Sequence, residues 1–246
     1  MKTFVIGDIH GAYKALQQCF ERSGFDYKKD RLIVLGDVCD GYHEVKQCID
    51  ELLNIKHCDL IIGNHDMWAL DWATRGDKPE IWTSQGGDQT IASYGGGPMP
   101  PEHVDFLKSG QLWLEFDNKL FVHGGIDPNK RMEKQGLNRL TWDRDLVESA
   151  WKKAHQNPKY KFSSYDEIFV GHTTTQWFAR NKETKHLKPD EIAELGTKPL
   201  FFCNVIILDT GAGWSGKLTI MDVNTHEYWQ SDLSSYLYGG TPDRLR

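Results

Sequence analysis

Several features that mark particular protein classes are missing from this 246-residue chain. Its five cysteines are odd in number and show no CxxC or other paired spacing. This argues against a disulfide framework and a zinc ribbon, and it favours a reducing compartment. No apolar run approaches the roughly 20 residues of a membrane span. The N-terminus also lacks the pattern of a secretory signal. We therefore expect a cytoplasmic protein with no membrane attachment.

An excess of basic charge is missing as well. The 29 Lys and Arg residues are outnumbered by 35 Asp and Glu, which gives a formal net charge of −6. A dedicated nucleic-acid binder draws much of its affinity from a basic surface, so this composition disfavours that class of partner. It leaves phosphorylated proteins, peptides and small phosphoesters open as substrates. Because no linker interrupts the chain, we predict a single domain over residues 1–238 and a flexible tail over residues 239–246.

The first third of the chain alternates apolar strands with amphipathic helices. Short apolar runs at residues 3–6, 32–35 and 60–62 predict strands. Apolar residues at helical spacing predict two helices between them, and the strand ends recur at about the length of a βαβ unit. Continuously apolar strands are typical of a parallel sheet that is buried on both faces.

The rest of the chain is predicted to continue as an α/β structure. Residues 83–101 are rich in glycine and proline, so we expect a loop there. A helix is expected through residues 145–155. Further strands are predicted at residues 112–116, 120–122, 167–170, 201–208, 218–222 and 227–230.

Polar residues beside glycine follow five of these apolar strands. The five blocks are GDIHG (7–11), GDVCDG (36–41), GNHD (63–66), HGG (123–125) and GHT (171–173). Because the carboxyl ends of parallel strands meet at one edge of a sheet, we expect these side chains to share a cleft. One strand-end aspartate is most often a helix cap, but five such blocks are hard to explain in that way. Their mixed oxygen and nitrogen donors suit one or two borderline divalent ions.

The order of these motifs, with the later DTG at residues 209–211, resembles the calcineurin-like metallophosphoesterases. The likeness is specifically to the phosphoprotein phosphatase branch and its bacterial serine/threonine protein phosphatases. The resemblance covers residues 2 to about 232, and the WTSQGG segment at residues 82–87 with Thr90 also looks like the bacterial members. It implies a four-layer α/β/β/α sandwich with a di-metal site at the C-terminal ends of the strands.

The same resemblance implies a set of metal ligands. Asp8 and His10 would hold the first divalent ion, Asp37 would bridge both ions, and three further residues would hold the second: Asn64, His123 and His172. Manganese is expected in vitro, with iron or zinc as alternatives. Such a pair of ions can present a shared hydroxide in line with a phosphorus atom.

The resemblance also implies how the substrate is bound and protonated. His65 would act as the general acid, with Asp40 holding its other ring nitrogen. The alternative for Asp40 is a cap for a helix that begins near Tyr42. Arg144, together with Asn64, would bind the substrate phosphate, because the planar fork of an arginine matches two phosphate oxygens.

One position departs from the family pattern GDxxDRG. Gly41 stands where the family has a second phosphate-binding arginine. We expect weaker phosphate binding with the chemistry preserved. An arginine at position 41 should then lower KM, unless other residues already fill that space, in which case no gain is expected. Trp68 and Trp72 could line a wall of the cleft. The position of Cys39 beside the site suggests a thiol open to oxidation, with a packing role as the default.

Three functions remain open at this point. The leading one is a di-metal phosphomonoesterase of the serine/threonine protein phosphatase type. The second is a dinucleoside polyphosphate hydrolase, such as a symmetrical diadenosine tetraphosphatase, because it uses the same machinery. The third is a metal-binding adaptor that has lost activity along with the arginine.

Overall fold

A computed structural model describes residues 1–179 and 196–240. In this part of the chain, ten strands form two five-stranded sheets. The predicted tail at residues 239–246 lies mostly outside the described residues, since only Gly239 and Gly240 are included. Among the described helices, none is long and apolar enough to span a membrane.

The two sheets share one design. In the first sheet the strand order is β10-β9-β1-β2-β3, and β1, β2 and β3 run parallel. In the second sheet the order is β4-β5-β6-β8-β7, and β5, β6 and β8 run parallel. The strands are β1 (Thr3–Ile6), β2 (Arg31–Val34), β3 (His57–Leu60), β4 (Trp113–Phe116), β5 (Lys119–Val122), β6 (Glu167–Val170), β7 (Leu200–Phe202), β8 (Val205–Ile207), β9 (Thr219–Asp222) and β10 (Tyr228–Gln230).

Helices connect the strands and cover the outer face of each sheet. A π-helical turn over Thr83–Gly87 and a short 3-10 turn over Met132–Lys134 add to them. The described α-helices are α1 (Tyr13–Ser23), α2 (Val45–Leu53), α3 (Asn64–Arg75), α4 (Glu80–Trp82), α5 (Asp88–Ser93), α6 (Pro101–Lys108), α7 (Leu137–Trp142), α8 (Asp145–Ala154), α9 (Gln176–Ala179) and α10 (Ser234–Leu237).

Alternating side chains along the strands build a four-layer sandwich. In β1, Phe4 and Ile6 pack against the helices of the first half, whereas Val5 points toward the second sheet. In β5, Phe121 points inward and stacks on Phe169 of β6, with ring centroids 4.9 Å apart. Because successive residues of a strand face opposite sides, both sheets are buried on both faces. The predicted α/β/β/α sandwich is confirmed.

The predicted strand over residues 201–208 was wrong, because the chain turns back within it. Strands β7 and β8 form a hairpin, with Cys203 at a left-handed φ of 58° in the turn. The Asn204 side chain stabilises this turn by accepting from the Phe162 N–H (2.9 Å) and donating to the Tyr165 carbonyl (3.0 Å). An apolar run on both sides of one asparagine therefore encodes two strands.

The predicted loop over residues 83–101 was wrong in its first half. The π-helical turn and α5 occupy residues 83–93, and the non-helical part begins after them. Gly86 adopts a φ of 102° inside the turn and so allows two helical segments to join at a kink. The glycines in this segment therefore shape a helical turn and do not prevent one.

Candidate active site

The parallel strands of both sheets end at one common edge, and the predicted site residues lie there. Asp8 and His10 follow β1, and Asp37 follows β2. Asn64 and His65 begin α3 directly after the third strand. His123 follows β5 and His172 follows β6. All six predicted metal ligands are thus brought together from both halves of the sandwich: Asp8, His10, Asp37, Asn64, His123 and His172.

Tight turns aim several of these side chains into the cleft. His10, Asp37, Asp40 and His172 all have positive φ values, between 50° and 69°. Non-glycine residues rarely adopt this left-handed conformation, and it is found where surrounding structure enforces it. Here the N–H groups of Ile9 and His10 both donate to the Asp37 carbonyl, which ties the turn after β1 to the turn after β2.

Asp37 lies at the centre of the site. Its Oδ2 atom is 3.3 Å from His123 Nε2 and 3.7 Å from His10 Nε2, and its Oδ1 accepts from the His65 N–H at 3.0 Å. Asp37 belongs to two clusters of ligand atoms that could each hold a metal ion, one with His10 and His65 and one with His123 and His172. One carboxylate therefore serves both clusters.

Hydrogen bonds to backbone carbonyls orient the three histidine rings. His10 Nδ1–H donates to the Cys39 carbonyl at 3.0 Å, and His123 Nδ1–H donates to the Leu35 carbonyl at 2.7 Å. Both rings therefore present Nε2 to the centre of the site. His172 Nε2–H donates to the Trp142 carbonyl at 2.9 Å, which leaves Nδ1 as its ligand atom. Anchoring of one ring nitrogen in this way is typical of metal-binding histidines.

Two buried atoms of the site lack partners among the described residues. Asp8 Oδ2 accepts from the His172 N–H at 2.9 Å, but Asp8 Oδ1 has no hydrogen-bond partner there. The Nδ2 group of Asn64 also has none. A buried acceptor without a partner is costly unless a ligand completes it. Carboxylate oxygens, an amide oxygen and imidazole nitrogens together suit borderline divalent cations, so the residues fit such ions.

Crowded charge shifts the pKa values of these ligands in opposite directions. Burial raises the pKa of the Asp8 carboxyl well above its ordinary range, and the nearby Asp209 carboxylate raises it further. Burial lowers the pKa of His123, but Asp37 and Asp8 outweigh it and raise that pKa to about 10. Burial lowers the pKa of His172 to about 3, helped by His123 and Arg144. The carboxyl groups of Asp8, Asp37 and Asp209 thus repel one another in one buried place, and a bound cation would relieve that repulsion.

His65 and Asp40 form a buried pair beside the ligand cluster. His65 Nδ1–H donates to Asp40 Oδ2 at 2.6 Å, and the other ring nitrogen faces the cleft. Helix α2 begins only at Val45, with Glu44 as its N-cap residue, so Asp40 caps no helix. The alternative role of Asp40 as a cap is thereby excluded.

The cleft is small and leads into a larger cavity. The cleft, of about 110 Å³, is lined by Asn64, His65, Gln85 and Arg144, among others. The adjoining cavity, of about 590 Å³, shares Arg144, His172 and Trp214 with it and is also lined by Trp177. Among the described residues, the Arg144 guanidinium has no carboxylate within 4 Å. This guanidinium is therefore available to an anionic ligand.

Neighbouring atoms already fill the space at position 41, so the alternative of no gain from an arginine there is the one that the structure supports. Gly41 has a φ of 80°, and a Cβ atom there would lie 2.9 Å from the His10 carbonyl oxygen. That same oxygen accepts from the Tyr42 N–H at 2.9 Å, so it is fixed in place. Both the backbone conformation and the lack of space oppose any side chain at this position.

Other sequence-based expectations have mixed outcomes. Trp68 lies next to the site, since its ring meets His65 at 5.3 Å and Trp142 at 5.0 Å between centroids. Trp72 packs into the core against Trp82, so its predicted place on the cleft wall was wrong. Cys39 is fully buried, and burial raises the pKa of its thiol, which opposes the predicted oxidation.

Asp209 is a site residue that the sequence analysis left unassigned. It is buried, lines the cleft and raises the pKa of Asp8. The signal for it was available, because Asp209 follows the apolar strand β8 and precedes Gly211 in the same way as the five assigned blocks. Trp214 and Gln85 also line the cleft, but neither follows a strand in the pattern of the five blocks, and Gln85 lies in the π-helical turn.

Comparison with known proteins identifies the family. A family model described as calcineurin-like phosphoesterase matches residues 1–199. Serine/threonine-protein phosphatase 1 of Salmonella typhimurium is 23% identical over 224 residues, which cover 88% of this chain and 89% of that protein. The symmetrical bis(5'-nucleosyl)-tetraphosphatase of Dechloromonas aromatica is 24% identical over an alignment of 278 residues, which covers 95% of this chain and 97% of that protein.

Solved structures agree on the fold. A provisionally assigned diadenosine tetraphosphatase superposes with a TM-score of 0.64 at 16% identity, and the match covers 93% of this chain and 92% of that one. At this identity the likeness concerns the fold alone. The motifs, the site geometry and a family model that spans well over half of the sequence agree, so the chain belongs to the calcineurin-like phosphoesterase family and is a hydrolase of phosphoesters.

Proposed function

We propose that this hydrolase is a phosphomonoesterase of the serine/threonine protein phosphatase type that depends on two divalent cations. The observation that carries the proposal is Asp37, which belongs to both clusters of ligand atoms and lies beside His65. Asp8 and His10 would hold one cation, Asn64, His123 and His172 the other, and Asp37 both. Such a pair lowers the pKa of a water molecule and neutralises charge on the phosphate.

Arg144 and Asn64 bind the substrate phosphate in this proposal. The Arg144 side chain lines the cleft without a carboxylate partner among the described residues, so its fork can bind two phosphate oxygens. The buried Nδ2 group of Asn64, which lacks an acceptor in the same part of the chain, can donate a further hydrogen bond. Asn64 would then serve a cation through its oxygen and the phosphate through its nitrogen.

His65 donates the proton that the leaving group needs. Expulsion of an alkoxide such as that of serine or threonine is difficult near neutral pH unless the oxygen is protonated as the bond breaks. The ring of His65 faces the cleft with one nitrogen, and the Asp40 carboxylate holds the other at 2.6 Å. This arrangement supports a general acid that is kept in one orientation.

The described lining of the cleft offers one cationic side chain to a phosphate. Arg144 is the one Lys or Arg side chain among the described residues that line the cleft and the adjoining cavity. Glu148 lines the cavity as well and adds negative charge there. One guanidinium and two cations are enough to bind the oxygens of a single phosphate, which supports a monoester as substrate.

The second candidate is hydrolysis of a dinucleoside polyphosphate. It is favoured by the 590 Å³ cavity beside the cleft, where the indoles of Trp177 and Trp214 offer flat surfaces to a nucleobase. The relative from Dechloromonas aromatica carries that activity in its name.

A substrate comparison and one variant test the proposal. Protein stripped of metal and reloaded with Mn²⁺ should hydrolyse a phosphoserine peptide with higher kcat/KM than diadenosine tetraphosphate. A preference of more than about 10-fold for the dinucleotide, or 1.4 kcal/mol in transition-state binding, would replace the proposal with the second candidate. His65→Asn should retain bound metal and slow phenyl phosphate by about 100-fold or more, but p-nitrophenyl phosphate much less, because a good leaving group needs no acid.

A further inference from the structure

The Asp40 carboxylate is held from three sides. Its Oδ2 atom accepts from His65 Nδ1–H at 2.6 Å and also from the indole Nε1–H of Trp82 at 2.8 Å. Its Oδ1 atom accepts from the Thr90 hydroxyl at 2.6 Å. The same hydroxyl oxygen accepts from the Asp40 backbone N–H at 2.9 Å. Thr90 thus fixes both the backbone and the carboxylate of one residue.

All of these groups are shielded from solvent. Asp40, Trp82 and Thr90 each have 0% of their surface exposed. Water has no access to replace a lost donor in such a place, so each hydrogen bond to the carboxylate contributes more than it would at the surface. Asp40 itself lies in the turn between β2 and α2, with a φ of 69°, outside any regular element. Its orientation therefore depends on these donors.

The sequence between Trp82 and Thr90 explains how both side chains reach one carboxylate. The π-helical turn over Thr83–Gly87 joins α4 to α5 and brings the indole and the hydroxyl to the same side. The turn requires a close approach, because a Cβ atom at Gly87 would lie 2.6 Å from Trp82 Nε1. A glycine at position 87 lets the indole lie flat against the backbone. The WTSQGG segment with Thr90 is thus a unit that presents two hydrogen-bond donors.

We propose that Trp82 and Thr90 are positioning residues of the reaction: they lock the Asp40 carboxylate so that it holds the His65 ring in line with the leaving-group oxygen. This inference rests on the proposed role of His65 as the general acid. Neither residue touches the substrate or the ligand cluster in this account. Their effect reaches the reaction through two successive hydrogen bonds, from the donors to Asp40 and from Asp40 to His65.

Variants that remove one donor at a time test the proposal. Trp82→Phe keeps an aromatic ring but loses the indole N–H, and Thr90→Val keeps the shape but loses the hydroxyl. Each should lower kcat for phenyl phosphate by about 10-fold, the effect of losing one hydrogen bond to a charged group. KM and kcat for p-nitrophenyl phosphate should change by less than about 3-fold. Thr90→Ser restores the hydroxyl and should restore the rate for phenyl phosphate.

A neighbouring tryptophan provides the matched control. Trp72 packs against Trp82 with ring centroids 6.0 Å apart, so Trp72→Phe disturbs the same cluster without removing a donor to Asp40. For Trp72→Phe, the ratio of the rate for phenyl phosphate to the rate for p-nitrophenyl phosphate should equal that of the wild type. In a His65→Asn background, Trp82→Phe should have no further effect on this ratio, because coupled residues are not additive.

The outcomes separate this inference from the proposed function. If His65→Asn slows both esters equally, the assignment of the general acid fails and takes this inference with it. If His65→Asn discriminates between the esters but Trp82→Phe and Thr90→Val slow both equally, or slow neither, the positioning role alone is refuted. Bound metal, measured on every variant, should match the wild type, and loss of metal in the Thr90→Val protein would assign that residue to the metal site instead.

Discussion

Replacement of Asp8 by asparagine should change stability in opposite directions with and without metal. In the metal-free protein, Asp8 places a carboxylate in a buried site with one oxygen unpartnered among the described residues and with Asp209 nearby. Asp8→Asn removes that charge while keeping a side chain of the same shape. With a chelator present, the variant should therefore be more stable than the wild type at pH 7, by about 1–3 kcal/mol. For a chain of this length, 1 kcal/mol corresponds to roughly 2–4 °C in Tm.

The pH dependence of this difference follows from the direction of the pKa shift. Because the pKa of Asp8 is raised in the folded protein, its ionisation costs stability. The penalty is absent below the ordinary carboxyl pKa near 4 and grows as the pH rises above that value. The stability advantage of the metal-free Asp8→Asn protein should therefore vanish near pH 4 and increase toward pH 7.

Bound metal should make the wild type more stable than Asp8→Asn, the reverse of the order without metal. A cation at 100 times its Kd stabilises the wild type by about 2.7 kcal/mol, and the variant, which offers a neutral amide oxygen in place of a carboxylate, should gain less than half of this. Thermal unfolding with EDTA and with Mn²⁺ measures both differences. Asp30→Asn is the control: Asp30 is buried elsewhere and accepts from the Lys2 and Asp26 N–H groups, so its variant should gain as much from Mn²⁺ as the wild type. An Asp8→Asn protein that is less stable than the wild type in EDTA, or that gains equally from Mn²⁺, would refute the reasoning.

Two further predictions concern phosphate binding and the missing arginine. Gly41→Arg should lower both Tm and activity, because its Cβ atom would meet the His10 carbonyl. Gly76 has a similar φ of 77° but open space around it. Gly76→Arg should therefore lower the free energy of unfolding by at least about 1 kcal/mol less than Gly41→Arg does. A gain in activity from Gly41→Arg would contradict the structure. Arg144→Lys should raise KM for phosphomonoesters by about 10-fold with little change in kcat, because a lysine lacks the bidentate fork. If steady-state kinetics give an unchanged KM, Arg144 does not bind the substrate phosphate.

Much of the fold was accessible from the sequence because its parallel strands are apolar along their whole length. The strand at Glu167–Val170 was predicted with its observed bounds, and the ends of the first two strands were found to within a residue. The third strand was misplaced, since His57–Leu60 mixes polar and apolar residues at the sheet edge. An alternating or continuously apolar pattern identifies a strand only where the strand is buried on one face or on both faces.

The site was predictable as a set of residues but not as a geometry. Each assigned ligand follows a strand and neighbours a glycine, and this local pattern placed all six at one edge. The left-handed backbone of His10 and Asp37 carries no signal in composition or spacing. The same holds for the bond from Trp82 to Asp40, which joins residues 42 positions apart. Contacts of this kind depend on how the helices of the first half pack, and periodicity does not encode that.

The central claim is that Asp37 is shared by two divalent cations, and anomalous diffraction tests it most directly. Crystals grown with Mn²⁺ should show two anomalous peaks roughly 3.5–4 Å apart, with the Asp37 carboxylate between them. The nearer ligands of one peak should be Asp8 and His10, and those of the other should be Asn64, His123 and His172. A single peak, or two peaks that do not share Asp37, would contradict the account.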